Sequence, residues 1–222
     1  MKIQTAELID CKDSLAEALL AETTYPWEAL SKIGDYIRSL FPKLGDDFEE
    51  VAPEVYVHRD ATVYPSAFIK GPAIIDAGTE VRHCAFIRGN ALIGKDCVVG
   101  NSTEIKNSIL VGNVEVPHYN YVGDSILGRF SHMGAGSITS NVKADRKNVH
   151  FLMQGEWRDT GLRKFGAILG DHVEVGCNAV LNPGTVIGRN SRVYPLSMVR
   201  GFVPEDSIYK KAAEIVRLEP RD

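Results

Sequence analysis

The stretch of this sequence richest in groups that could do chemistry runs from Glu104 to Asn141 and reads EIKNSILVGNVEVPHYNYVGDSILGRFSHMGAGSITSN. Within it, His118 is a candidate general base, because an imidazole with an ordinary pKa of about 6.5 accepts a proton near neutrality. A histidine met alone is more often structural or solvent-facing, so the surroundings of His118 have to carry that reading. A second candidate group is basic. Lys70, Arg88 and Lys106 are spaced eighteen residues apart. If that spacing brings them together they repel unless an anion or carboxylate sits among them. A phosphate would serve, with arginine suited to bidentate contact. Outward carboxylates such as Glu80 and Glu104 would serve as well, and spacing alone does not choose.

The elements that position these groups follow from a repeat. Val57, Val63, Ile69, Ile75, Val81, Ile87, Ile93, Val99, Ile105 and Val111 stand six residues apart, and the step of six resumes at Leu169, Val175, Leu181, Ile187, Val193 and Val199. Small residues such as Ala61, Ala73, Ala91 and Thr103 precede the anchors by two positions, and residues two apart on a strand point the same way. Each repeat therefore sends one small and one branched side chain inward. Three repeats make an eighteen-residue coil, with successive coils about 4.8 Å apart, and this stacks the basic residues into a ladder on one edge. The same spacing aligns Tyr56, Ile74, Leu92 and Leu110 on an outer face, an apolar stripe that calls for cover. The step drops to five between Val111 and Val116 and between Val122 and Leu127. A loop at about 142–165 then interrupts the repeat, and excursions of that length are usually functional or disordered.

This pattern resembles the hexapeptide-repeat family over about residues 51–205. The resemblance implies an all-β fold, a left-handed parallel β-helix of three short strands per coil, normally assembled as a homotrimer. Its open ends would need covering. Residues 1–50 are expected to form an N-terminal helical cap. Ser14 and Glu17 suggest a capping box opening a helix over LAEALLAE, and Pro26 precedes Trp27, Leu30, Ile33, Ile37 and Leu40 at helical spacing. That stripe would pack on the prism or dock another protein. Residues 206–222 form a C-terminal tail of either strand or helix.

The segment Glu104–Asn141 more specifically resembles the acetyltransferase domain of the bifunctional bacterial enzymes that make UDP-N-acetylglucosamine. Its motif elements appear here as Glu104-Ile105-Lys106, His118-Tyr119-Asn120-Tyr121-Val122-Gly123-Asp124, Gly134-Ala135-Gly136 and Asn141. The resemblance implies that acetyl-CoA is the co-substrate, that no metal is required, and that His118 is the general base toward a sugar amine. It implies phosphate-binding roles for Arg88, Lys106 and Lys147, contacts around the sugar and acetyl group for Tyr121 and Asn141, and a coenzyme groove at Ala135, Val142, Cys177 and Pro195. It also implies active sites between the subunits of the trimer. Two departures point to a changed acceptor pocket: His132 replaces an asparagine, and Asn141-Val142-Lys143-Ala144 replaces Asn-Tyr-Asp-Gly. No glycine-rich nucleotide-binding segment precedes the repeats, so nucleotide transfer is not expected.

Composition narrows the field further. A net charge of -4 over 222 residues gives no support to nucleic-acid binding, and no apolar run suits a membrane span. With no export segment at the N-terminus, the expected location is cytoplasmic. Cys11, Cys84, Cys97 and Cys177 are scattered and read as reduced thiols. The expected activity is acetylation of an amino-sugar phosphate, glucosamine 1-phosphate first. The same chemistry on another sugar or sugar nucleotide is an alternative. So is a non-catalytic trimer holding a sugar phosphate for a separate nucleotidyltransferase. A zinc lyase like the γ-class carbonic anhydrases would use His83 and His118 but needs a ligand at Gly123, where glycine offers no side chain.

Overall fold

A computed structural model describes residues 2–153, 155–211 and 214–217. Two- to seven-residue strands stack in parallel as a β-solenoid of about nine turns. The branched anchors form its inner core: Ile75, Val81, Ile87, Ile93, Val99, Ile105, Val116, Val122, Leu169, Leu181, Ile187 and Val199 are buried in one apolar cluster. Their small partners allow the coils to close, and glycines let one coil approach the next. A Cβ on Gly176 would stand 2.4 Å from the Pro195 nitrogen, so only glycine fits there.

The phase of the repeat shifts one position earlier than the sequence suggests. Leu110 pairs with Ile93 and joins the inner core, while Ile109 pairs with Leu92 and continues the outer stripe. Val111, counted above as an anchor, packs with the outer cluster instead. The first short step is therefore Ile105 to Leu110. The reason is physical: Lys106-Asn107 turns the corner that Arg88-Gly89-Asn90 takes with one residue more, so Glu104–Leu110 runs through the corner as one strand.

Every departure from the six-residue step falls at this same corner of the prism. It is shortened at Ile105 to Leu110, at Val122 to Leu127 and at Val199 to Val203, and it is interrupted between Thr139 and Leu169. The interruption is a hairpin, His150–Met153 against Glu156–Asp159; Gln154, within the expected loop at 142–165, lies outside the described residues.

The outer stripe Tyr56, Ile74, Leu92, Ile109, Ile126, Ile168, Val186 and Phe202 is covered by the chain's own N-terminal segment. It therefore gives no ground for a subunit contact. The segment runs lengthwise down one face: Lys2 pairs with Glu205, the Asp10 N–H donates to Asp171, Asn107 donates to the Leu30 carbonyl, and Arg38 pairs with Glu54. Its local structure differs from the sequence reading. The helix is short, Glu17–Ala21, and no Ser14–Glu17 box forms. The Ser14 hydroxyl donates to the Cys11 carbonyl and the Glu17 carboxylate accepts the Asp13 N–H. Pro26 opens a 3₁₀ turn, Pro26–Ala29, ahead of a separate helix at Ile33–Leu40. The ends are closed by antiparallel pairings, Phe48–Ala52 on Val55–His58 and Ser207–Lys211 on Glu214–Arg217. The tail is thus strand at Ser207–Lys211 and at Glu214–Arg217, while Ala212, Ala213 and residues 218–222 lie outside the described residues. Among the described residues no helix is long and apolar enough to cross a membrane.

Helices and hairpin meet over Trp27. Its ring lies 5.2 Å from that of Phe151 and 5.8 Å from that of Phe165, and Val149, Phe151 and Met153 share its apolar cluster. A Trp27→Ala substitution is expected to lower stability by about 3–5 kcal/mol in urea unfolding. Amide exchange should then quicken selectively in 149–159. Uniform acceleration along the solenoid would contradict a shared helix–hairpin core.

Candidate active site

The shortened corner assembles a buried polar cluster. Parallel pairing sets Lys106 beside Gly123, so the Lys106 ammonium reaches Asp124, donating to its two carboxylate oxygens at 2.8 and 2.9 Å. The Asn107 amide donates to Asp124 at 2.9 Å, and the Asn141 amide donates to the other carboxylate oxygen at 2.5 Å. Asn141 also donates to the Tyr121 hydroxyl at 3.2 Å. Asp124 holds φ at 48°, a left-handed conformation that asparagine and aspartate tolerate, and this turns the side chain to meet three donors at once. Its carboxylate is only 5% exposed and the Lys106 side chain 23%. Burial, followed by the Asp124 and Glu104 charges, pushes the Tyr121 phenol above its ordinary pKa, so it stays protonated at neutrality.

On the coil edge above, Arg88 donates to Glu104 at 2.6 Å. Two rungs of the basic ladder are therefore matched by carboxylates of this chain. Glu80 takes Arg82 instead, at 2.8 Å. Lys70 has no ion pair among the described residues.

His118 stands at the neighbouring corner, separated from the Asp124 corner by the strand that begins at Tyr121. It is exposed and its imidazole has no partner among the described residues. Its backbone is held firmly. The His118 N–H donates to the Asn120 side chain, and buried Asn120 in turn donates to the Gly134 and Ser137 carbonyls. The Gly136 N–H donates to the His118 carbonyl, the Asn178 N–H to Ala135, and the Leu196 N–H to Cys177. Ala135, Cys177 and Pro195 thus descend in a column, one per coil, directly from His118.

Two expected site residues, and the substituted position His132, lie elsewhere. Val142 is exposed at the neck of the hairpin, bridged to Lys164, at the Asp124 corner rather than in the column. Lys147 is exposed within the excursion, with no hydrogen bond or ion pair from its side chain to the Asp124 cluster. His132 lies on the outer face of the neighbouring sheet, its Nδ1 3.0 Å from Glu174. Sequence reading assigned no role to Asp124 or Asn107. Asp124 was visible inside the Gly-Asp of the motif, whereas Asn107 carries no signal until the corner is known to be one residue short.

The chemistry open to this arrangement is that of a rigid polar corner with spare donors beside an exposed imidazole. Arg88 gives only Nη1 to Glu104, and a guanidinium has five N–H groups. Asp124→Ala is expected to destabilise the protein by about 3 kcal/mol or more, because it leaves Lys106 without its counterion and takes one acceptor each from Asn107 and Asn141. Lys106→Met should cost less, since Asp124 keeps two amide donors. The reverse order in urea unfolding would contradict Asp124 as the centre of the cluster.

A bifunctional protein GlmU of Methanococcus vannielii is 35% identical over 196 residues, covering 86% of this chain and 47% of that protein. A bifunctional sugar-1-phosphate nucleotidylyltransferase/acetyltransferase of Sulfurisphaera tokodaii is 31% identical over 165 residues, covering 74% of this chain and 41% of that one. The chain spans about half the length of these relatives. Among solved structures, the acetyltransferase domain of PglB from Neisseria gonorrhoeae with acetyl coenzyme A is 17% identical, with a TM-score of 0.34 over 74% of this chain and 58% of that one. A likeness so slight carries no argument. Residues 69–203 match the family model described as the GMPPB C-terminal domain, and the chain belongs to that family.

Proposed function

We propose that the chain is an acetyl-CoA-dependent N-acetyltransferase acting on an amino-sugar phosphate, glucosamine 1-phosphate first, in the cytoplasm. The observation that supports this most is the placement of an unpartnered imidazole, His118, one short strand away from a cation-bearing corner. In this reading the sugar lies across that strand. Its phosphate shares the unused donors of Arg88 and Lys106, Tyr121 and Asn141 contact the sugar, and its amine faces His118. The amine nitrogen attacks the thioester carbonyl, a C–N bond forms, the C–S bond breaks, and the proton passes to His118 as coenzyme A leaves. Holding amine and thioester together supplies most of the acceleration, and backbone N–H groups stabilise the oxyanion.

The coenzyme lies along Ala135, Cys177 and Pro195. Val142 and Lys147 sit away from that column in this chain, and a homotrimer would bring a neighbour's copies of them to it. The name of the Sulfurisphaera relative, which includes an acetyltransferase, agrees with the class of reaction.

One observation favours a second reading. His132 is engaged by Glu174 and not by the Asp124 cluster, so the acceptor pocket differs from the family pattern. A chain that binds the sugar phosphate without turning it over, alongside a separate nucleotidyltransferase, would look the same.

Release of free coenzyme A from acetyl-CoA and glucosamine 1-phosphate distinguishes the two. Wild type is expected to turn over, and His118→Ala to lose about 10²- to 10⁴-fold in kcat with little change in sugar-phosphate affinity by calorimetry. Binding without turnover in wild type would sink the catalytic reading. Cysteine alkylation tests the coenzyme column separately. Cys84 and Cys177 are exposed, and burial pushes the Cys97 thiol up to about 12, so only the exposed thiols should label at neutral pH. Acetyl-CoA should slow labelling of Cys177 and leave Cys84 unchanged; equal protection of both, or of neither, would count against the column.

A further inference from the structure

Where the hairpin leaves the prism, it borders a cavity of about 1070 Å³, and of its lining only Val142 figures in the roles above. The size is generous for a small-molecule site. Its walls are largely apolar, from Val142, Phe151, Pro183 and Phe202, with Trp157 on the hairpin and Arg200 on the prism. Trp157 is 68% exposed although it is a large aromatic side chain. Its cross-strand neighbour Leu152 is exposed beside it. Arg200 is exposed and, among the described residues, has no ion pair or hydrogen bond from its guanidinium. The other cation in the wall, Lys143, is already held by Asp145 at 3.2 Å.

From this we infer that the cavity is a nucleotide site, with a planar base stacked on Trp157 and a phosphate held by Arg200. A planar base stacks on an exposed indole across its whole π-face, a contact open to any base. An unpartnered guanidinium facing a mostly apolar pocket is suited to bidentate contact with a phosphate. The hairpin is anchored by Phe151 and Met153, which pack into the Trp27 cluster, and Trp157 takes no part in that anchoring. Two sources carry that chemistry, the adenosine bisphosphate end of coenzyme A and a nucleoside diphosphate sugar.

The chain's two tryptophans provide the readout: Trp27 is buried at 5% exposure and Trp157 is open to solvent. Full-length protein is titrated with coenzyme A, with UDP-N-acetylglucosamine and with base-free glucosamine 1-phosphate, following tryptophan emission. At least one base-carrying ligand is expected to quench saturably, and glucosamine 1-phosphate is not. Whichever nucleotide quenches identifies the source. Arg200→Ala should weaken that ligand, and Trp157→Leu, followed by calorimetry, should weaken it roughly ten- to hundred-fold. Absence of saturable quenching by either nucleotide would overturn the inference, as would unchanged affinity in both variants. So would emission from Trp157 already blue-shifted at concentrations where the protein self-associates, which would make the patch a contact between copies. None of these readings depends on turnover, so the site and the proposed activity stand or fall separately.

Discussion

A carboxylate as buried as that of Asp124 must be matched where it stands, because an isolated charge away from water is far too costly to keep. The match comes from Lys106 on the preceding coil, Asn107 beside it and Asn141 on the coil after. The donors and their acceptor together span three successive turns, so the ion cluster clamps the turns in register as well as fixing the side chains that face outward. The clamp needs the corner to be short. A full-length corner such as Arg88-Gly89-Asn90 leaves its cation outside, where Arg88 meets the half-exposed Glu104. One residue fewer draws Lys106 inward to a buried partner.

The same corner is where the chain departs on its hairpin, and that departure is not free-standing. Trp27 from the N-terminal segment stacks on Tyr25 at 4.8 Å and lies against Phe151 and Phe165. The lengthwise helical segment thus covers the apolar face of the prism and supports the base of the excursion together. Asn107 links the two layers directly, since one amide donates both to Asp124 and to the Leu30 carbonyl. Cover, excursion and polar corner form one continuous structure, and the exposed side of the hairpin is left free to meet something else.

Much of this was legible in the sequence. A six-residue step of branched residues dictates inward-facing positions on parallel coils, and it held from Ile69 to Ile105 and from Leu169 to Val199, whereas Val63, near the open end, is exposed. It misled at Val111, because a β-branched residue happened to follow the true anchor Leu110, and either residue type fits an apolar position. The ladder of Arg88 and Lys106 was legible from spacing; which carboxylate would claim each was not. That choice depends on which coils lie next to each other at a shortened corner, and Asp124 is eighteen residues from Lys106 only in the chain count. The Ser14–Glu17 box failed because Ser14 closes a local turn on Cys11 instead, a competition that residue types alone do not decide. His118 as a base remains an inference from its motif and its open imidazole.

The most direct test of the proposed site is a crystal structure of the protein with glucosamine 1-phosphate and coenzyme A bound. The sugar is expected across the strand at Tyr121, its phosphate beside Arg88 and Lys106, and its amine within hydrogen-bonding distance of a His118 ring nitrogen. A sugar phosphate bound away from that strand, or an amine beyond reach of His118 with the coenzyme in place, would contradict the assignment.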